Sequence, residues 1–213
     1  MDGIERGVYP DFVQDVEHTS HRKAERRSSQ RFQTVYRLVR IARSDDEGLA
    51  RCRNISNTGV RLDTTMRLVA GDAIAIWFSP GIEVHGIVVR RDERTCGVRF
   101  EEIQNSRYLL RNSAKEGLES RARPPRFSTD LAAAFYFDGL KKFGRVVNIS
   151  QWGMNVAHVQ GLQRGVHVQV ALANDRARRA VVRWTSSENA GLYLLDPFSV
   201  EELGSTEKLK TIW

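Results

Sequence analysis

Cysteine is scarce: there are two in 213 residues, Cys52 and Cys96, with no Cys-x-x-Cys or Cys/His cluster around either. Metal binding is therefore not expected. Both thiols lie inside apolar strand-like runs and read as small, buried and reduced. Long hydrophobic runs are missing too. No stretch approaches the ~20 apolar residues that span a bilayer, and the opening MDGIERGVYPDFVQDVEH lacks the basic-then-apolar order of a secretory leader. A cytosolic address is the expectation, and it sets aside Asn54-Ile-Ser56 and Asn148-Ile-Ser150 as glycosylation acceptors. The five histidines are scattered without metal spacing. No nucleophile stands beside a base, and neither paired carboxylates nor a phosphate-cradling glycine loop occur, so an enzyme is not expected.

What is present begins with charge. The net charge of +7 favours an anionic partner. Residues 1–19 carry Asp2, Glu5, Asp11, Asp15 and Glu17 against Arg6 alone. Arg22, Lys23, Arg26, Arg27 and Arg31 then follow against Glu25. An acidic lead-in followed by a basic arm reads as a mobile tail ending in an anion-binding segment.

The chain also repeats itself. Asn54-Ile-Ser-Asn-Thr-Gly59 returns as Asn148-Ile-Ser-Gln-Trp-Gly153, each Asn and Gly 94 residues after its counterpart. Gly71 with Gly165 and Gly97 with Gly191 keep the step, and Arg31-Phe32 answers to Arg126-Phe127. A period this long is one small domain made twice. Alternation of apolar and polar residues predicts strands over 32–43, 49–55, 59–62, 72–78, 83–91 and 96–100, then over 128–137, 142–149, 154–159, 167–173, 178–185 and 191–195. Six short strands per copy indicate two antiparallel barrels, which close and so leave no exposed edges. A helix is expected after each: a helical period over 105–120, and a Ser199-x-x-Glu202 capping box with a Phe198/Leu203 staple. Arg121-Ala-Arg-Pro-Pro-Arg126 cannot be helical across its prolines and places a linker near 113–125. The expected division is a mobile acidic segment 1–20, a first domain 21–120 and a second 121–213.

In the first copy, the 22 residues between Arg31 and Asn54 allow one hairpin, so the basic arm and the Asn/Ser turn can line one barrel mouth. Arginine grips phosphate through two parallel hydrogen bonds, pairs with guanine O6 and N7, or stacks on a base. Asn54 offers donor and acceptor, Ser56 a hydroxyl, and Gly59 the freedom to take a positive φ beside a ligand. Arg27-x-x-x-Arg31 followed by Asn54-x-Ser56-x-x-Gly59 resembles the signature of the PilZ family. The resemblance covers about 22–120 well, and 121–213 as a second, divergent copy. It implies six-stranded all-β barrels with a C-terminal helix that bind the bacterial second messenger cyclic di-GMP. Arg27 and Arg31 would then hold phosphate and guanine, and Asn54, Ser56 and Gly59 the other face. Arg26, just before the pair, is where such domains accommodate an intercalated ligand dimer.

The second copy keeps Asn148, Ser150 and Gly153 but has Ala122 four residues before Arg126. Arg121 or Arg123 could substitute, giving a second site with Arg126; alternatively, the motif is only a turn there. The overall expectation is a cyclic di-GMP receptor without cofactor or metal that relays binding to a downstream protein through arm ordering and domain rearrangement. One rival is an adaptor that contacts proteins without ligand. Another is a single-strand nucleic-acid binder using Phe32, Tyr36 and Trp152 with Arg176, Arg178, Arg179 and Arg183.

Overall fold

The computed structural model describes residues 32–44, 46–111, 124–173 and 176–210, and of 32–36 the backbone alone. Two closed six-stranded antiparallel barrels occupy this span. The first comprises β1 (Phe32–Arg43), β2 (Asp46–Ser56), β3 (Gly59–Asp63), β4 (Ala73–Ser79), β5 (Ile82–Asp92) and β6 (Thr95–Phe100). The second comprises β7 (Phe127–Phe137), β8 (Leu140–Ser150), β9 (Gly153–Ala157), β10 (His167–Leu172), β11 (Arg178–Thr185) and β12 (Asn189–Leu194). Around the first wall the order is β1-β2-β3-β6-β5-β4, closed by pairing of β1 with β4. The second repeats that order strand for strand and closes through β7 and β10.

Alternation builds each wall. In β4 the residues Ile74, Ile76 and Phe78 point inward and are buried, while their neighbours are not. Each such aliphatic or aromatic side chain contributes about 1.5–3 kcal/mol by leaving water. Cys52 and Cys96 are free thiols within the first core, and burial pushes the Cys96 thiol above its usual range.

The walls also share their irregularities. Register shifts fall between Cys52 and Asn54 in β2, and between Val88 and Arg90 in β5. They return 94 residues later, between Val146 and Asn148 in β8 and between Val182 and Trp184 in β11. A bulge adds one residue to one strand and re-aims the next side chain. In β2 it leaves Arg53 and Asn54, two consecutive residues, both off the core, with Ile55 returning to it. Val147 and Asn148 do the same before Ile149.

After β6 a helix, α1, starts at residue 106 and is described to 111. Asn105 caps it, accepting from Tyr108 N–H at 3.1 Å, and Leu109 is buried in the first core.

The exit from the second barrel differs from the sequence expectation. The capping box forms: Ser199 N–H donates to Glu202 Oε2 at 2.7 Å, and Glu202 N–H to Ser199 Oγ at 3.1 Å. Yet the chain continues only through turns to a single 3-10 turn, Glu207–Leu209. The first barrel takes the backbone groups a helix would need. Leu203 O accepts from Leu49 N–H, and Thr206 N–H donates to Glu47 O, both at 2.7 Å. Residues 201–208 thus form a strap across β2. Its anchor is Asp46, only 2% exposed, which accepts from Ser205 Oγ at 2.8 Å, Thr206 Oγ1 at 3.2 Å and Glu207 N–H at 3.1 Å. Thr65 Oγ1 donates to Glu201 O at 2.9 Å, Lys208 Nζ donates to Thr65 O at 2.8 Å, and Arg51 pairs with Glu201. Leu49 of β2 even belongs to the second barrel's core.

Candidate functional site

A groove of about 370 Å³ lies on the outer wall of the first barrel, over β2, β3, β5 and β6. Asn54, Ser56 and Gly59 line it, together with Arg61, Arg90, Asp92, Gly97 and Arg99. Three of the predicted site residues therefore come together on one surface. Arg26, Arg27 and Arg31, and Arg123 of the proposed second site, lie outside the described residues, as does the acidic segment 1–20. The first described strand starts beside the motif: β1 begins with Phe32 opposite Ile55 and Gln33 opposite Asn54. The chain therefore enters the barrel beside the motif.

Each motif residue has a distinct place. The bulge before Asn54 turns its amide off the core, where it makes no hydrogen bond among the described residues. Ser56 is committed to the turn: its hydroxyl donates to Gly59 O at 3.3 Å and accepts from Thr58 N–H at 3.4 Å. Gly59 does not use the positive φ expected of it, since it is absent from the residues with that conformation. Its glycine is required by close approach instead. A Cβ there would stand 2.5 Å from Val98 O on β6, inside any tolerable contact.

The groove's charge was not legible as a motif. Arg61, Arg90 and Arg99 come from three strands, and register brings them together: Gly59 faces Arg99, while Arg61 and Arg90 both face Gly97. Arg90 Nε and Nη2 each donate to Asp92 Oδ1 at 3.1 Å. Arg61 Nη2 reaches Thr95 Oγ1 at 3.1 Å and lies 3.9 Å from Asp92 Oδ2. Arg99 is exposed and unpaired among the described residues. The floor between them is bare: a Cβ on Gly97 would meet nothing nearer than Val89 Cγ2 at 3.8 Å. The signal that could have found these arginines is their outward phase on β3, β5 and β6.

The turn is wired to the segment that leaves the barrel. Asn57, inside the motif, accepts from Ser106 N–H at 3.2 Å and Ser106 Oγ at 2.7 Å, and its carbonyl accepts from Gln104 N–H at 2.8 Å. Its counterpart Gln151 holds the segment that leaves the second barrel, accepting from Phe198 N–H at 2.9 Å and donating Nε2 to Phe198 O at 3.3 Å.

The equivalent groove of the second barrel, about 260 Å³, is lined by Asn148, Ser150, Gly153 and Arg126, with Trp152, Asn155, Arg183, Trp184 and Tyr193. Ser150 Oγ donates to Gly153 O at 3.2 Å, as its counterpart does. Trp184 is 45% exposed. Conversely, Arg178, offered as part of a nucleic-acid groove, is 1% exposed. Its guanidinium lies 3.6 Å over the Phe198 ring and donates to Pro197 O at 3.0 Å and Glu202 Oε1 at 2.8 Å. Burial would raise the Glu202 carboxyl, but Ser199 N–H and Arg178 together hold it below its usual range. Arg179 is spent on Asp196, whose carboxyl it keeps well below the ordinary value. The basic groove of that rival loses two of its four arginines.

Fold and groove together define a closed β-barrel whose outer wall presents clustered arginines beside an Asn-x-Ser-x-x-Gly turn. The family model described as PilZ domain matches residues 25–113, a span that includes the whole first barrel. Among curated proteins, none matches the sequence significantly. Solved structures of similar layout include PlzA of Borreliella burgdorferi in complex with c-di-GMP, 9% identical over 82% of this chain and 90% of that one, with a TM-score of 0.36. YcgR of Escherichia coli in complex with c-di-GMP is 14% identical over 75% and 76% of the two chains, with a TM-score of 0.30. The Bacillus subtilis inhibitor of motility MotI/DgrA is 12% identical over 78% and 91%, with a TM-score of 0.30. No helix among the described residues is long and apolar enough to cross a membrane.

Proposed function

We propose that the chain is a receptor, not an enzyme, that binds cyclic di-GMP in the groove of the first barrel. The observation that carries this reading is the meeting of Asn54, Ser56 and Gly59 with Arg61, Arg90 and Arg99 on one wall, at the end where β1 enters. The ligand offers two phosphates and two guanines. Guanidinium groups suit both, as bidentate donors to phosphate oxygens or guanine O6/N7 and as stacking planes. Arg27 and Arg31 supply the closing side, Arg26 supports a second, intercalated ligand, and Asn54 reads a base edge through its unspent amide. Ser56 and Gly59 act mainly by holding the turn against β6.

The relay follows from the turn's bonds. Ordering the arm costs conformational entropy, which charge-assisted and stacking contacts must exceed. Strain at Asn57 passes to the start of α1, and β1 and β2 pass it to the strap anchored on Asp46. A downstream protein then reads the rearranged surface.

Calorimetric titration of the full chain with cyclic di-GMP tests the reading. Binding at about 1 μM or tighter, with one or two ligands per chain, is expected. Arg27→Ala and Arg31→Ala should abolish it, whereas Arg126→Ala should weaken it little. Equal loss from all three refutes that division of labour, and no binding up to about 100 μM favours the ligand-free adaptor.

A further inference from the structure

We infer that the groove of the second barrel is a site of different chemistry, one that takes a single nucleobase carrying one anionic group: a nucleoside monophosphate. This rests on the second barrel alone and stands whether or not the first binds cyclic di-GMP.

The 94-residue step pairs the two grooves position by position. Where the first groove has Thr58, Arg90 and Arg99, the second has Trp152, Trp184 and Tyr193. Charge has been exchanged for rings on the same wall. Trp152 and Tyr193 lie nearly parallel, 17° apart with centroids at 6.3 Å, and remain 47% and 36% exposed. Trp184 lies flat against the backbone of Gly191, where an added Cβ would fall 2.0 Å from its Nε1. The bare floor of the first groove is thus an indole floor in the second. Exposed aromatic faces in a concave setting are what a heteroaromatic ring stacks on.

Two further observations narrow the ligand. Asn155, in the groove wall, has a buried side-chain oxygen with no hydrogen-bond partner among the described residues. A buried acceptor left unpaired is costly, and a ring N–H or exocyclic amino group of a base would satisfy it. Arg126 and Arg183 line the groove, Arg183 standing 5.0 Å over Tyr193, and no carboxylate among the described residues lines it. Two guanidiniums with no opposing acid suit one phosphate. The first groove has three arginines before the arm is counted. The smaller volume, about 260 against 370 Å³, points the same way.

The test is a titration of the full chain with GMP and with AMP, observed through the indole N–H signals by nuclear magnetic resonance. Inorganic phosphate serves as control, and Trp→Phe variants supply the assignments. It is run in the Arg31→Ala background, so that the first groove does not compete. Trp152 and Trp184 should shift saturably with a dissociation constant below about 1 mM, with Trp77 unmoved. Trp184→Ala should weaken binding about tenfold, the usual loss of one base–aromatic stack. Arg183→Glu, a surface change that spares the fold, should do so by a similar factor and more at low salt. The inference is overturned by no saturable shift up to about 10 mM, or by equal shifts from inorganic phosphate. Tighter binding of cyclic di-GMP than of either monophosphate at these indoles would also overturn it, because the groove would then be a second copy of the first.

Discussion

Gly97 separates the groove of the first barrel from the fold that carries it. Its Cβ position opens into the groove, with Val89 Cγ2 at 3.8 Å and Arg90 Cβ at 3.9 Å as ordinary contacts. Gly97→Ala should therefore leave stability unchanged or raise it by about 0.5–1 kcal/mol, since glycine inside a strand costs roughly that much. Gly97→Phe places a benzyl group in the middle of a 370 Å³ groove, between Arg61, Arg90 and Arg99. It displaces one base stack, worth about 1–3 kcal/mol, and at least one charge-assisted hydrogen bond of about 1.5–3 kcal/mol. The combined loss of about 3 kcal/mol or more weakens cyclic di-GMP binding about 100-fold or further. Gly59→Ala is the contrasting control. Its Cβ would sit 2.5 Å from Val98 O, so it should lower stability by about 1–3 kcal/mol before any effect on ligand is read. Urea unfolding and calorimetry on the same preparations separate the two effects. A Gly97→Phe chain that is fully folded and binds with wild-type affinity refutes the placement of the ligand.

Other expectations concern the strap and the buried arginine. Asp46→Ala removes an acceptor shared by two hydroxyls and one amide and should cost about 3 kcal/mol in urea unfolding; a cost below about 1 kcal/mol would mean water replaces the carboxylate. Arg178→Ala should cost about 3–5 kcal/mol, and an unchanged midpoint would show that the Phe198 and Glu202 contacts carry no weight. Acid should loosen the strap. Arg51 holds the Glu201 carboxyl below its usual range, and Glu202 is likewise lowered. Their contribution is present above the unfolded carboxylate value and is lost as pH falls through the folded values. Amide protection at Leu49 and Thr206, corrected for intrinsic exchange, should therefore drop between about pH 5 and pH 3; constant protection would count against these ion pairs.

Local signals were enough for much of this protein. Strict alternation set the strands, and the limits read for Phe32–Arg43 and Arg178–Thr185 are those observed, because a wall with one wet and one dry face writes a period of two into the chain. The repeat announced two barrels, and the motif announced a turn beside the entry of β1. Pairing registers were not legible. The bulges after Cys52 and Val88 leave no composition signature, yet they turn Asn54 outward and align Arg61, Arg90 and Arg99 across three strands. Arg178 looked like surface charge because its partners, Phe198 and Glu202, are distant in sequence and meet it only after the barrel closes. Ser199 and Glu202 carry a real helix-start signal, and locally it is obeyed. The helix fails because β2 offers the next backbone groups better partners. Sequence alone determined the two barrels and the turn, since these depend on neighbours along the chain. Only the tertiary structure decided which arginines line the groove and which are buried, and that residues 201–208 strap the first barrel. Those outcomes depend on contacts between residues up to 161 positions apart.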